Sequence, residues 1–182
     1  MRYKTLFVQA ITVFMFLFLV SPCFAMTLLT QREALRLVFG EDAQVTSEQK
    51  VIPQGRQDIF KTKVGKCFNG QKEYTFYFGA KDGKPFRAAV ILEAPGKWGP
   101  IQFIVAIGLD AKVTDVIVMR YTETRGRPIA RKSFLKQFIG KTGKDALVLN
   151  KDVVAISGAT ISSQATACTV KEAIALYEEL YP

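Results

Sequence analysis

The chain has 182 residues, 49% of them hydrophobic and 23% charged, with a formal net charge of +9, which is enough for one domain with a proper core. It contains no histidine. That excludes Ser-His-Asp and Cys-His catalytic sets, His-ligated haem and the common zinc sites. Any chemistry is therefore carboxylate chemistry or belongs to a bound cofactor.

Residues 1–25 have the order of a secretory signal peptide. Met1-Arg2-Tyr3-Lys4 is a short basic start, and Leu6 to Val20 is apolar except for Gln9 and Thr12. Ser21-Pro22-Cys23-Phe24-Ala25 breaks the helix and puts small residues at −3 and −1 of a cut after Ala25. An uncleaved anchor is the alternative, since about 20 apolar residues can span a bilayer. Lipidation of Cys23 is disfavoured by Pro22, which stands where a small residue is wanted. Both readings place the rest of the chain outside the cytoplasm, in the periplasm or on the outer face of the membrane. Cleavage removes Arg2 and Lys4 and leaves +7. No dense Lys/Arg run is interleaved with aromatics, so the charge reads as solvated surface, with nucleic acid the least expected partner. Cys67 and Cys168 could pair in an oxidising compartment, but the sequence does not show whether they meet.

Thr30-Gln31-Arg32-Glu33 has capping-box spacing before a stripe of Ala34, Leu35, Val38 and Phe39 and a stop at Gly40. Residues 41–58 are polar and resist assignment. From Glu73 the period is two: Tyr74, Phe76 and Phe78 share a face, Lys81-Asp82-Gly83-Lys84 turns, and Phe86, Ala88, Val90 and Leu92 return. After the Gly/Pro loop 94–100, Ile101–Leu109 and Val113–Tyr121 form a second antiparallel pair around Asp110-Ala111. A helix is expected over Ile129–Ile139, ending at Gly140. The last helix should begin near Ser162 or Ser163 and present Val170, Ile174, Tyr177 and Tyr181. The expected fold class is α+β: an antiparallel sheet flanked by helices. Residues 26–72 would form an N-terminal helix and connecting segment, and 73–182 the main body of a single domain.

One segment stands out, Ser157-Gly158-Ala159-Thr160-Ile161-Ser162-Ser163, with four hydroxyls around a Gly-Ala pair at a helix start. Free N–H groups and the positive dipole end stabilise a phosphate there, and Gly158 allows close backbone approach. Taken alone, a turn followed by a serine cap explains the pattern more simply.

Ser157-Gly158-Ala159-Thr160 resembles the flavinylation motif of the FMN-binding domain family. That family includes flavin subunits of sodium-translocating NADH:quinone reductase and Rnf-type complexes. Gly96-Lys97-Trp98-Gly99-Pro100-Ile101 is similar to its glycine-rich loop, and Glu123-Thr124-Arg125-Gly126 to its Glu-Thr-Pro-Gly segment near the flavin. The three matches keep the family's order from roughly Tyr74 to Tyr177. The resemblance implies that Thr160 takes FMN from FAD as a phosphoester, made by a Mg-dependent flavin transferase, with Ser157, Gly158 and Ala159 shaping the turn. Two positions depart from the pattern: Val154 replaces an Asp three residues before the motif serine, with Asp152 the nearest acid, and Arg125 replaces Pro.

The expected cofactor-binding set is Thr160, Ser157, Gly158, Ala159, Ser162, Trp98, Gly99, Glu123, Thr124, Arg125 and Gly126, with no catalytic residue and no metal. Trp98 could stack on the ring or pack its loop, Glu123 could bond the flavin or orient its loop, and Lys141 could reach a phosphate or complement a helix dipole. The implied function is electron transfer between redox donor and acceptor proteins, a membrane complex among them, by a carrier with neither haem nor nucleic acid. The alternatives are a noncovalent FMN-binding or sensory module and a flavin-free exported interaction domain.

Overall fold

The computed structural model describes residues 26–68, 70–122 and 127–182. The expected signal or anchor segment, 1–25, lies outside the described residues, as does Glu123–Gly126. Among the described residues no helix is long and apolar enough to cross a membrane.

Among the described residues six antiparallel strands form one sheet in the order β1-β6-β5-β4-β3-β2. Chain order gives β1 (Met26–Thr27), α1 (Gln31–Phe39), β2 (Gln44–Val51), α2 (Gln57–Val64), β3 (Glu73–Lys81), β4 (Lys84–Pro95), β5 (Pro100–Gly108), β6 (Val113–Tyr121), α3 (Lys132–Leu135) and α4 (Thr160–Leu180). This is the expected α+β class.

The sheet is covered on both faces. α4 lays Val170, Ile174 and Tyr177 on one side, against Phe76, Val90, Phe103 and Val105. α1 covers part of the other with Ala34, Val38 and Phe39, against Ala89, Ile104, Ala106 and Met119. Two-sided burial explains why β5 is buried from Phe103 to Gly108 without alternation. Gly79 is required beneath α1, because a Cβ there would lie 2.3 Å from Phe39 Cδ1.

The β3–β4 hairpin turns at Asp82-Gly83 with positive φ at both residues, the geometry that matches strand twist. Phe86 departs from the expected face. Gly79 pairs with Arg87 while Ala80 pairs with Pro85, so Phe86 is the extra residue of a bulge. Its ring stands edge-on to Phe39 at 6.2 Å, on the α1 side.

Residues 41–58, unassigned from sequence, contain β2, paired with β3 from Gln44↔Ala80 to Val51↔Glu73. It is an almost fully exposed edge strand, so no apolar alternation marks it. The expected connector 26–72 thus supplies both edges of the sheet, β1 and β2. The helix expected over 129–139 is broken into 3₁₀ turns at Arg127–Ala130 and Lys136–Phe138 around the four-residue α3.

Candidate flavin site

The last helix begins at Thr160, two or three residues earlier than the sequence suggested, and its N-cap is Ala159. Ala159 offers no side-chain hydrogen bond, so the serine-cap reading is corrected. Ser163 works instead as an internal clamp. Its Oγ donates to the Ala159 carbonyl at 2.9 Å and accepts from the Ile156 amide at 3.1 Å. The approach loop and the first turn of α4 are thereby held by one hydroxyl, a role that a run of hydroxyls in sequence does not reveal.

Between them the chain turns sharply, with the Ala159 amide donating to the Ile156 carbonyl at 3.0 Å. Gly158 sits at φ +77°, where a side chain would be strained. The turn exposes Ser157, Gly158 and Thr160 and buries Ala159. Ser162, expected to face a ligand, is only 2% exposed and points inward.

The loop before the turn is pinned at two points. Asp152 accepts from the Leu147 and Val148 amides at 2.7 and 2.6 Å, so this acid organises the loop. Gln137 grips the backbone of Val154, accepting from its amide at 2.8 Å and donating to its carbonyl at 3.3 Å. Val154 itself is 73% exposed.

Thr160 borders a cavity of about 440 Å³, within the usual range for small-molecule sites. Ala94 and Pro95 at the end of β4 form another wall, so the glycine-rich loop starts at the cavity's edge. That loop closes through the Gly96 amide donating to the Gly99 carbonyl at 2.9 Å. Gly99 abuts Thr122: a Cβ there would lie 2.6 Å from Thr122 Oγ1. Thr122 Oγ1 is buried with no hydrogen-bond partner among the described residues, and it immediately precedes Glu123–Gly126. Trp98 is 61% exposed, with Lys97 Nζ 5.2 Å from its ring centroid. Lys141 pairs with Asp145 at 3.1 Å.

Three groups in the cavity wall were not expected there from sequence. The first two are Cys67 and Cys168, which form a disulfide with Cα atoms 4.9 Å apart. The third is Glu172, 2% exposed on α4. Tyr74 Oη lies 3.2 Å from Glu172 Oε1 and 2.8 Å from the Gln71 carbonyl. Burial pushes the Glu172 carboxyl up to about 7, and the Tyr74 hydrogen bond pulls it down by less. Burial and the adjacent Glu172 both hold the Tyr74 phenol neutral, well above its ordinary range. A lone carboxylate inside the run Val170–Leu176 was the available signal for Glu172.

The geometry suits a phosphate ester of moderate size. It combines an exposed hydroxyl, a helix start without a side-chain cap, and an adjoining cavity. Comparison with known proteins gives the same ligand class, for a family model described as an FMN-binding domain matches residues 96–175. Residues 96–175 belong to the FMN-binding domain family.

The domain is similar to two named relatives. One is a subunit of the proton-translocating ferredoxin:NAD(+) oxidoreductase complex of Clostridium ljungdahlii, 36% identical over 114 residues, with 58% of this chain and 60% of that protein covered. The other is the like-named subunit of the Na(+)-translocating ferredoxin:NAD(+) oxidoreductase complex of Acetobacterium woodii, 31% identical over 94 residues, with 47% and 45% covered. The chain thus spans about half the length of these relatives. The crystal structure of Shewanella oneidensis NqrC has the same fold, with a TM-score of 0.50 and 18% identity over 84% of this chain and 85% of that one.

Proposed function

We propose that this protein is an extracytoplasmic electron-transfer flavoprotein that carries FMN as a phosphoester on Thr160 Oγ1. The observation that carries the reading is the position of Thr160. It is an exposed hydroxyl in the first turn of a helix without a side-chain cap, bordering a cavity within an FMN-binding domain.

A flavin transferase would bring FAD and Mg²⁺ to Thr160, whose Oγ1 would form the ester bond to the phosphorus nearer the riboflavin as the pyrophosphate P–O bond breaks. The hydroxyl proton would pass to a base of the transferase, and AMP would be the leaving group. Gly158 permits the left-handed turn that exposes the hydroxyl, and Ser163 fixes that turn against the approach loop. The amides and dipole of the first turn stabilise the ester's negative charge. Bound FMN supplies one- and two-electron redox chemistry, for which the protein provides orientation and electrostatics.

A tether through the phosphate retains the cofactor where a dissociated flavin would be lost, consistent with the export expected from residues 1–25. The names of the two relatives support a partnership with a membrane oxidoreductase complex, in which this chain would be a carrier between donor and acceptor.

The test is intact mass of the protein coexpressed with a flavin transferase, beside Thr160→Ala. An added FMN phosphoester in the parent alone is the expected result. Flavin released by denaturation would mean noncovalent binding, and colourless, unmodified parent protein would overturn the flavin reading altogether.

A further inference from the structure

We propose that the Cys67–Cys168 disulfide is a second, two-electron redox centre of this protein, reduced from the flavin carried on Thr160. The inference rests on the function proposed above.

Its first support is position. The disulfide joins the 3₁₀ turn after α2 to α4, and both cysteines line the same cavity as Thr160. Thr160 and Cys168 are eight residues apart on α4, about 12 Å along the axis. Both cysteines are only half-buried. A disulfide serving stability alone gains nothing from facing a ligand cavity, and accessible disulfides are the reducible ones. α2 and α4 are also held together by Arg56–Glu179 and Lys63–Glu178 ion pairs and by packing of Phe60 and Val64 into the core. Opening the bridge therefore leaves the two helices joined.

The second support is the chemistry around the sulfurs. Gln164 Nε2 lies 3.4 Å from Cys168 Sγ, placed to donate to a developing thiolate. Lys66 precedes Cys67 and borders the cavity, so a cation is available on the other side. Glu172, one turn beyond Cys168, places a buried carboxyl in the same wall, with Tyr74 as its hydrogen-bonding neighbour. Its raised proton affinity makes it a proton donor near neutral pH. The remaining charged group of the wall, Glu93, is paired with Arg120 at 2.6 Å.

The step balances. The two-electron-reduced flavin is oxidised and releases its two protons to solvent, its electron pair breaks the S–S bond, and two protons are taken up to give two thiols. Glu172 delivers one of those protons and is recharged from solvent.

The experiment is an anaerobic reductive titration of the full flavinylated chain, followed by alkylation of thiols under denaturing conditions and intact mass. The expected result is four reducing equivalents per flavin and two more alkyl groups than on the oxidised sample. Cys67→Ser/Cys168→Ser protein should take up two equivalents. The wild-type alkyl count decides the matter even if that double variant fails to fold. Uptake of two equivalents, with flavin present by mass and the disulfide intact, overturns the inference and leaves the flavin reading standing.

A Thr160→Ala sample given photoreduced free FMN tests the disulfide separately. Thiols should form there about 10²-fold more slowly than in the tethered protein, the ratio of a millimolar effective concentration to a 10 µM donor. Should the parent carry no flavin, the Thr160 reading fails and the inference fails with it, whereas two-equivalent uptake with flavin present overturns the inference alone.

Discussion

The helices that cover the two faces of the sheet, α1 and α4, begin in opposite ways. α1 closes its own N-terminus: Thr30 Oγ1 accepts from the Glu33 amide at 3.3 Å, and Glu33 Oε2 accepts from the Thr30 amide at 2.7 Å. The Thr30 backbone hydrogen bond is the main reason that the Glu33 carboxyl lies below its ordinary range. α4 starts on Ala159, which caps nothing with its side chain, and it exposes Thr160 beside a cavity. One start is closed by its own side chains and the other has no side-chain cap. The first arrangement adds stability by itself, and the second leaves its first-turn amides for the phosphate proposed on Thr160.

The largest expected effect lies at the open end. Thr160→Ala should abolish covalent flavin, with the thermal midpoint of the apoprotein almost unchanged; a fully flavinylated variant would break the contrast. The next effect lies further along the cavity wall. Glu172 binds its proton more tightly folded, at about 7, than its ordinary 4.5. The folded state therefore holds the extra proton between those values, and stability falls as pH rises through that window by about 3 kcal/mol. Glu172→Gln should remove that slope, and denaturant unfolding at pH 5 and pH 8 measures it; an unchanged slope would mean the carboxyl is not held in a dry site.

Gly158→Ala forces a side chain into a left-handed conformation, at a cost of about 1–2 kcal/mol. It should also reduce flavin incorporation, read by intact mass after timed transferase reaction. Thr30→Ala gives the smallest effect, a loss of about 1 kcal/mol in unfolding free energy. Flavin incorporation should stay at the parental level, because α1 packs on the far face of the sheet. A fall in incorporation would show that the two starts are not independent.

Legibility followed the range of the forces involved. The capping box, the Asp82-Gly83 turn and the paired strands 101–109 and 113–121 were readable because each depends on residues a few positions apart. β2 was not, because an exposed edge strand such as Gln44–Val51 is held by backbone bonds to β3 and needs no apolar face. Phe86 lies on the face opposite to the one alternation predicts, because a one-residue bulge inverts the period. At the site, the Ser157–Thr160 motif is legible, but α4 starts at Thr160, ahead of the serines that propensity favours. Serine propensity suggested a cap, whereas Ser163 is spent on Ile156 and Ala159.

By itself the sequence determined the fold class, the motif and the chemistry excluded by the lack of histidine, since these follow from composition and local pattern. Tertiary structure alone decided that Cys67 meets Cys168 across 101 positions. It also decided that Glu172 is buried against Tyr74, and that both features share a cavity with Thr160. The physical reason is that meeting across the chain, and the loss of water that shifts a carboxyl, exist only once α4 has docked on the sheet.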